Sequence, residues 1–155
     1  MASINWVAQT NHRLYLSQLM LQQCQQADSK PLQAAFEEAA LQQLQSAYLS
    51  YLNELAGAVN LRERVESLSQ LLAVTSLVTG DMSELRQLEE DSYSWLAQAQ
   101  RAFAEAGWPQ QPVVHEVAPA GLIASSSASD KPAVTDWLGQ LQQLIERQRG
   151  NHRES

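Results

Sequence analysis

The sequence predicts an all-α protein, a four- to five-helix up-and-down bundle with a long Pro/Ser-rich connection before its last helix. Three observations lead there. Apolar residues recur at three and four over most of the chain, no period-two alternation persists, and Pro and Ser concentrate in one block at 107–131. At 155 residues, 45 % hydrophobic and 17 % charged, the chain suits one domain over 1–155 with a core that needs no disulfide or metal.

Ser3 or Asn5 can cap a first helix that runs to about Ala27. It is apolar on two sides: Val7, Leu14 and Leu21 form a narrow row, and Ala8, Tyr15, Leu16, Leu19 and Met20 a broader one. Two rows call for two partners, so this helix is either central or lends a face to another subunit. The connection 26–30 is short and makes the second helix its antiparallel neighbour. That helix, from Pro31 to Gly57, carries the longest unbroken pattern. Ala40, Leu41, Leu44, Ala47, Tyr48, Tyr51, Leu52, Leu55 and Val59 share a side, Asp28 or Ser29 can cap its start, and Gly57 or Asn60 its end.

Asn60-Leu-Arg-Glu63 fits a capping box opening a third helix with Leu61, Val65, Leu68, Leu72 and Thr75, ended near Thr79 by Gly80 in a left-handed C-cap. A second box, Asp81-Met-Ser-Glu84, opens the next segment. Glu89, Glu90 and Asp91 interrupt it, and a fresh helix is expected from about Ser94 to Ala106, where Gly107 stops it. Pro109, Pro112, Pro119 and Ser125-Ser-Ser127 then forbid a helix, while Val113, Val114, Leu122 and Ile123 favour docking of this stretch along the bundle. Ser129 or Asp130, with Pro132 in the first turn, starts the last helix, whose seam is Val134, Trp137, Leu138, Leu141, Leu144 and Ile145. Residues 150–155 should fray.

Composition also narrows function. A formal charge of −7 opposes binding to nucleic acid or an anionic membrane, since phosphate binding needs a positive surface. Only Lys30 and Lys131 are lysines, and Arg147, Arg149 and Arg153 crowd the C-terminus. The single Cys24 excludes an internal disulfide. No basic region with an apolar core begins the chain, and the uncharged run 67–80 is too short to span a bilayer, so a cytoplasmic location is expected. No Glu-x-x-His pair, paired cysteines, Gly-rich phosphate loop or Gly-x-Ser-x-Gly elbow occurs, so neither a metal nor a cofactor is expected.

Polar groups cluster in two places. Asn11, His12 and Arg13 break the first helix's apolar rows just before Tyr15. His12 reads as a general base or ligand-orienting group, or else as a neutral imidazole satisfied by a tyrosine hydroxyl or a carbonyl. Glu37 falls in the middle of the second helix's apolar side with Glu38 at its edge. A carboxylate there must be paired, with Arg13 or an arginine of the last helix, or reach solvent past Gln33. Arg147-Gln-Arg-Gly-Asn-His152 has the Arg-x4-His spacing of helical RNA-cleaving domains of the HEPN type, though Gly150 should break the helix between the two.

Thr10-Asn-His-Arg-Leu-Tyr15, Glu38-Ala-Ala-Leu41, Trp137 and Leu144-Ile-Glu-Arg-Gln-Arg149 resemble a pseudomonad-type family of small bacterial helical proteins of unknown function, over about a third of the chain. The resemblance implies that Asn11, Arg13, Tyr15, Glu38 and Arg147 belong together. Asn11, His12, Arg13, Tyr15, Glu37, Glu38 and Arg147 are therefore the candidate binding cluster, and no catalytic set is assigned. The leading expectation is a non-enzymatic interaction or adaptor module with a protein partner or self-association, a homodimer being its simplest form. The alternatives are a small-ligand-binding bundle with a pocket near His12, Tyr15, Tyr48 and Tyr51, and a HEPN-like ribonuclease.

Overall fold

The computed structural model describes residues 4–108 and 132–154, and every regular element in them is a helix. The all-α class holds. The helices are α1 (Trp6–Gln26), α2 (Lys30–Ala58), α3 (Leu68–Val74), α4 (Gly80–Glu90), α5 (Trp95–Glu105) and α6 (Ala133–Glu154). These are six where four or five were expected, because α3 is only a two-turn segment beside three long helices. The expected connection and its docking residues Val113, Val114, Leu122 and Ile123 lie outside the described residues, as do the candidate caps Ser129 and Asp130.

α1 and α2 form an antiparallel hairpin. Asn5 caps α1 by accepting from the Ala8 amide, and Ser29 caps α2 by accepting from the Leu32 amide, with Pro31 in the first turn where a missing N–H costs nothing. The buried row of α1 is Thr10, Leu14, Ser17, Leu21 and Cys24, a three-four spacing in which two polar residues hold core positions. Both are satisfied: the Thr10 hydroxyl donates to the Trp6 carbonyl at 2.8 Å and the Ser17 hydroxyl to the Ala40 carbonyl of α2 at 2.9 Å. Apolar periodicity alone therefore misassigns this helix. Val7 and Tyr15 are 45 % and 56 % exposed, Ala8 is exposed too, and of the broad second row Leu16, Leu19 and Met20 are half-buried, Met20 against the core.

α2 is the axis of the core. Leu44, Tyr51 and Leu52 are each 1 % exposed, and burial of each such side chain favours folding by about 1.5–3 kcal/mol. The helix ends in a Schellman turn: Asn60 is left-handed at φ 63°, the Asn60 amide donates to the Gly57 carbonyl and the Leu61 amide to the Ala56 carbonyl. Asn60 therefore closes α2 and opens nothing, because an N-cap requires extended backbone. The expected helix from 60 is an irregular loop up to Ser67. Asn53 pins it, its side-chain amide both donating to the Val65 carbonyl and accepting from the Val65 amide, each at 2.9 Å.

α3 starts at the Ser67 cap and stops at Val74, so Gly80 is not a C-cap. It is the first residue of α4, behind the Thr79 cap that accepts from the Met82 amide. The Ser94 cap of α5 and the stop at Gly107, φ 86°, fall where the sequence puts them. α6 runs through Gly150 to Glu154, and the His152–Asp81 contact described below lies in its last turns. α6 runs parallel to α2: its first turns share a groove with the start of α2 and its last turns bond the end of α2. The core from α1 to α6 is continuous.

Candidate functional site

Each end of α6 carries a polar feature. At the C-terminal end, four helices meet in an ion-paired network. Gln148 is fully buried and in register with Val134, Leu138, Leu141 and Ile145. Its amide NH2 donates to the Asp81 carbonyl at 3.3 Å and to Glu84 Oε1 at 3.0 Å, and its oxygen accepts from the buried Tyr51 hydroxyl. Arg147 forks onto both Glu84 oxygens, one contact being Nη1 to Oε1 at 3.0 Å. Arg149 forks onto Glu54, Nε to Oε1 at 2.7 Å and Nη2 to Oε2 at 2.8 Å, and its Nη1 reaches Asn11 Oδ1 at 2.8 Å. His152 Nε2 lies 2.7 Å from Asp81 Oδ2.

The electrostatics follow from this pairing. The hydrogen bond from Arg147, helped by the Gln148 amide, holds the Glu84 carboxyl below the usual carboxylate range against the opposing effect of partial burial. Burial and the neighbouring Asp81, Glu54 and Glu84 charges push the Tyr51 hydroxyl up, so it stays a donor at any physiological pH. Glu54 and Glu84 hold the Arg149 and Arg147 guanidiniums still more firmly charged. Such a network ties α1, α2, α4 and α6 together. Arg147 and His152, the Arg-x4-His pair, each face a carboxylate of α4, an arrangement that competes with phosphate.

At the N-terminal end of α6 lies an open groove of about 700 Å³ between α2, α5 and α6. Ala34, Glu37, Glu38 and Leu41 line it from α2 at the i, i+3, i+4, i+7 spacing of one helical stripe. Ala102, Glu105 and Ala106 face them from the end of α5, and Ala133, Val134 and Trp137 from α6. The floor is small side chains, which is why a trench remains there. Trp108, 74 % exposed, stands at its mouth. Among the described residues no basic side chain lines it, and none donates a hydrogen bond to Glu37, Glu38 or Glu105. The charge of Glu37 reaches Cys24 on α1, whose thiol is pushed up first by burial and then by that charge.

The structure separates the sequence-derived cluster. Arg13 donates to Gln43 Oε1 at 3.0 Å and not to Glu37. Asn11 and Arg147 belong to the network, with Arg149 and Glu84 as their partners. His12 and Tyr15 are exposed on the outer side of α1. Glu37 and Glu38 line the groove. From Glu38 to the level of Tyr51 is roughly 20 Å along α2 at about 1.5 Å per residue, too far for Arg147 to reach. Nor do His12, Tyr15, Tyr48 and Tyr51 converge on a pocket: the Tyr48 hydroxyl donates to Glu89 and the Tyr51 hydroxyl to Gln148. Sequence reasoning missed Glu54, Asp81, Glu84, Gln148 and Arg149 in the network and Glu105, Trp108 and Trp137 in the groove. Gln148 alone left a signal, as a polar residue in register with an apolar seam.

Among the described residues no cluster of three or more His, Cys, Asp or Glu side chains could hold a metal, and no helix is long and apolar enough to cross a membrane. The chain belongs to a family of unknown function (DUF6586), whose model matches residues 1–155. No curated protein and no solved structure matches it.

Proposed function

We propose that this protein is a non-catalytic, cytoplasmic interaction module that docks a protein partner in the groove between α2, α5 and α6. The groove itself carries the reading: an apolar trench with an exposed tryptophan at its mouth and carboxylates that no described residue satisfies is a surface arranged for something outside the fold. The network at the other end of α6 supports it by contrast, since its acids and bases neutralise one another. A photo-crosslinking residue placed at Ala34 and, separately, at Glu105 tests it in the native cell. The same identified protein should be trapped from both walls, not from Gln22 on the outer side of α1, and Trp108→Ala should reduce its yield. Crosslinks from both walls only to residues 109–131 of the same chain, or to nothing, would overturn the proposal.

The volume of the groove also suits a small ligand, the second reading. A thermal-shift response to a metabolite, lost in Trp137→Ala, would favour it.

A further inference from the structure

We infer that the partner element taken by the α2/α5/α6 groove is a basic amphipathic helix. The inference rests on the docking reading above and adds the chemistry of the occupant. Its ground is the disposition of charge around an apolar floor. Ala34, Leu41, Ala102, Ala106 and Val134 form a strip with no hydrogen-bonding side chain, so what lies on it must be apolar. Glu37 and Glu38 lie between Ala34 and Leu41 along α2, one to either side of the line joining them, and Glu105 stands across from them on α5, so what borders the apolar contacts must be cationic on both sides. A helix with leucine-like residues at i, i+3, i+4 and i+7, bordered by lysine or arginine, meets both conditions at once.

Length and reach agree with this. The α2 stripe from Ala34 to Leu41 covers about two helical turns, roughly 10 Å, which a short helix can follow turn for turn. Lysine and arginine stems lie along apolar walls while their heads reach outward, as carboxylates at a rim require. Trp108, exposed at the mouth, and Trp137, half-buried in the α6 wall, offer aromatic faces that attract such cations further. The formal charge of −7 steers a basic element inward from a distance. A free polyamine would satisfy the carboxylates but leave the floor and Trp108 wet, and an acidic or uncharged helix would bury three carboxylates without a counter-charge.

The test uses the full chain and a fluorescein-labelled helical peptide of leucine and lysine, about four turns long, followed by anisotropy. The comparison probe is its twin with glutamate in place of lysine. The basic peptide should bind at least about tenfold tighter than the twin, and more weakly as salt rises. The E37Q/E38Q/E105Q variant should lose about tenfold in affinity for the basic peptide. A control with the same loss of charge at exposed sites outside the groove, E63Q/E66Q/E146Q, should lose little. Equal loss in both variants would reduce the attraction to net charge and overturn the inference, as would equal binding of the two peptides. Full displacement by spermine with no contribution from Trp108, read in Trp108→Ala, would replace the helix with a polyamine. Failure of the basic peptide alongside a partner trapped from both walls would refute the chemistry while the docking reading stands; failure of both would remove the two together.

Discussion

The two ends of α6 are built from similar residue types and put them to opposite use. At the C-terminal end Arg147, Gln148, Arg149 and His152 meet Glu84, Tyr51, Glu54 and Asp81, and each arginine forks onto a carboxylate of its own. At the N-terminal end Glu37, Glu38 and Glu105 border a groove with no basic residue among its described lining. A paired carboxylate has its interaction within the fold and gives stability. An unpaired one beside apolar surface adds nothing to stability and leaves its interaction for another molecule. The contrast marks which end holds the bundle together and which end is available.

The sharpest break in that contrast would come from Gln148. Being fully buried, it cannot exchange its partners for water, so Gln148→Ala leaves the Tyr51 hydroxyl and the Asp81 carbonyl without their bonds and opens a cavity. A loss of about 2–4 kcal/mol in unfolding free energy is expected from urea titration. A loss below about 0.5 kcal/mol, the size of an ordinary surface change, would mean that the network contributes no stability.

Glu84 gives the next largest effect and a definite pH signature. Its folded carboxyl titrates below the usual range because of Arg147, so the unfolded chain takes up the proton first as pH falls. The stabilisation is complete above the unfolded value, near about 4.3, and drains away as pH falls through that value to the lower folded one. Glu84→Gln should therefore lower the melting temperature clearly at pH 7 and progressively less as pH falls through the unfolded value toward the lower folded one, below which wild type carries a neutral carboxyl as well. Parallel melting curves across that range would show that the ion pair is too solvent-screened to matter.

How far the sequence announces these two ends differs for physical reasons. Helix periodicity places α2, α5 and the seam of α6, because a continuous core demands one apolar stripe per helix. It picks out Glu37, as an acid within an apolar face, and the spacing of the α6 seam continues onto Gln148, although the apolar seam itself stops at Ile145. It cannot say what those residues meet. Arg147 and Glu84 are far apart in the chain, and their contact depends on how α3, α4 and α5 lead back across α2. Local signals fail where one residue type serves two roles: Asn60 caps helices at either end, and here it takes the left-handed C-terminal role. Thr10 and Ser17 look polar yet sit inside, since each has a carbonyl to bond. The candidate cluster comes apart for the same reason the network goes unseen: a resemblance groups residues of the first, second and last helices, but no local signal says which level of one helix packs against which level of another.

The smallest expected effect is the most telling for the contrast. E37Q/E38Q/E105Q removes three charges from the groove, the same kind of substitution as Glu84→Gln threefold over. None of the three carboxylates accepts a hydrogen bond from a described residue, and the neighbouring lining residues are uncharged apart from one another. Neutralising them breaks no hydrogen bond to a described residue and relieves repulsion among Glu37, Glu38 and Glu105, so unfolding free energy at pH 7 should stay within about 0.5 kcal/mol of wild type or rise slightly. A chemical denaturation series on the two variants side by side reads the difference directly. If the groove variant lost more stability than Glu84→Gln, its acids would be holding the fold together, and the unpaired end of α6 would be a second structural network instead of a docking surface.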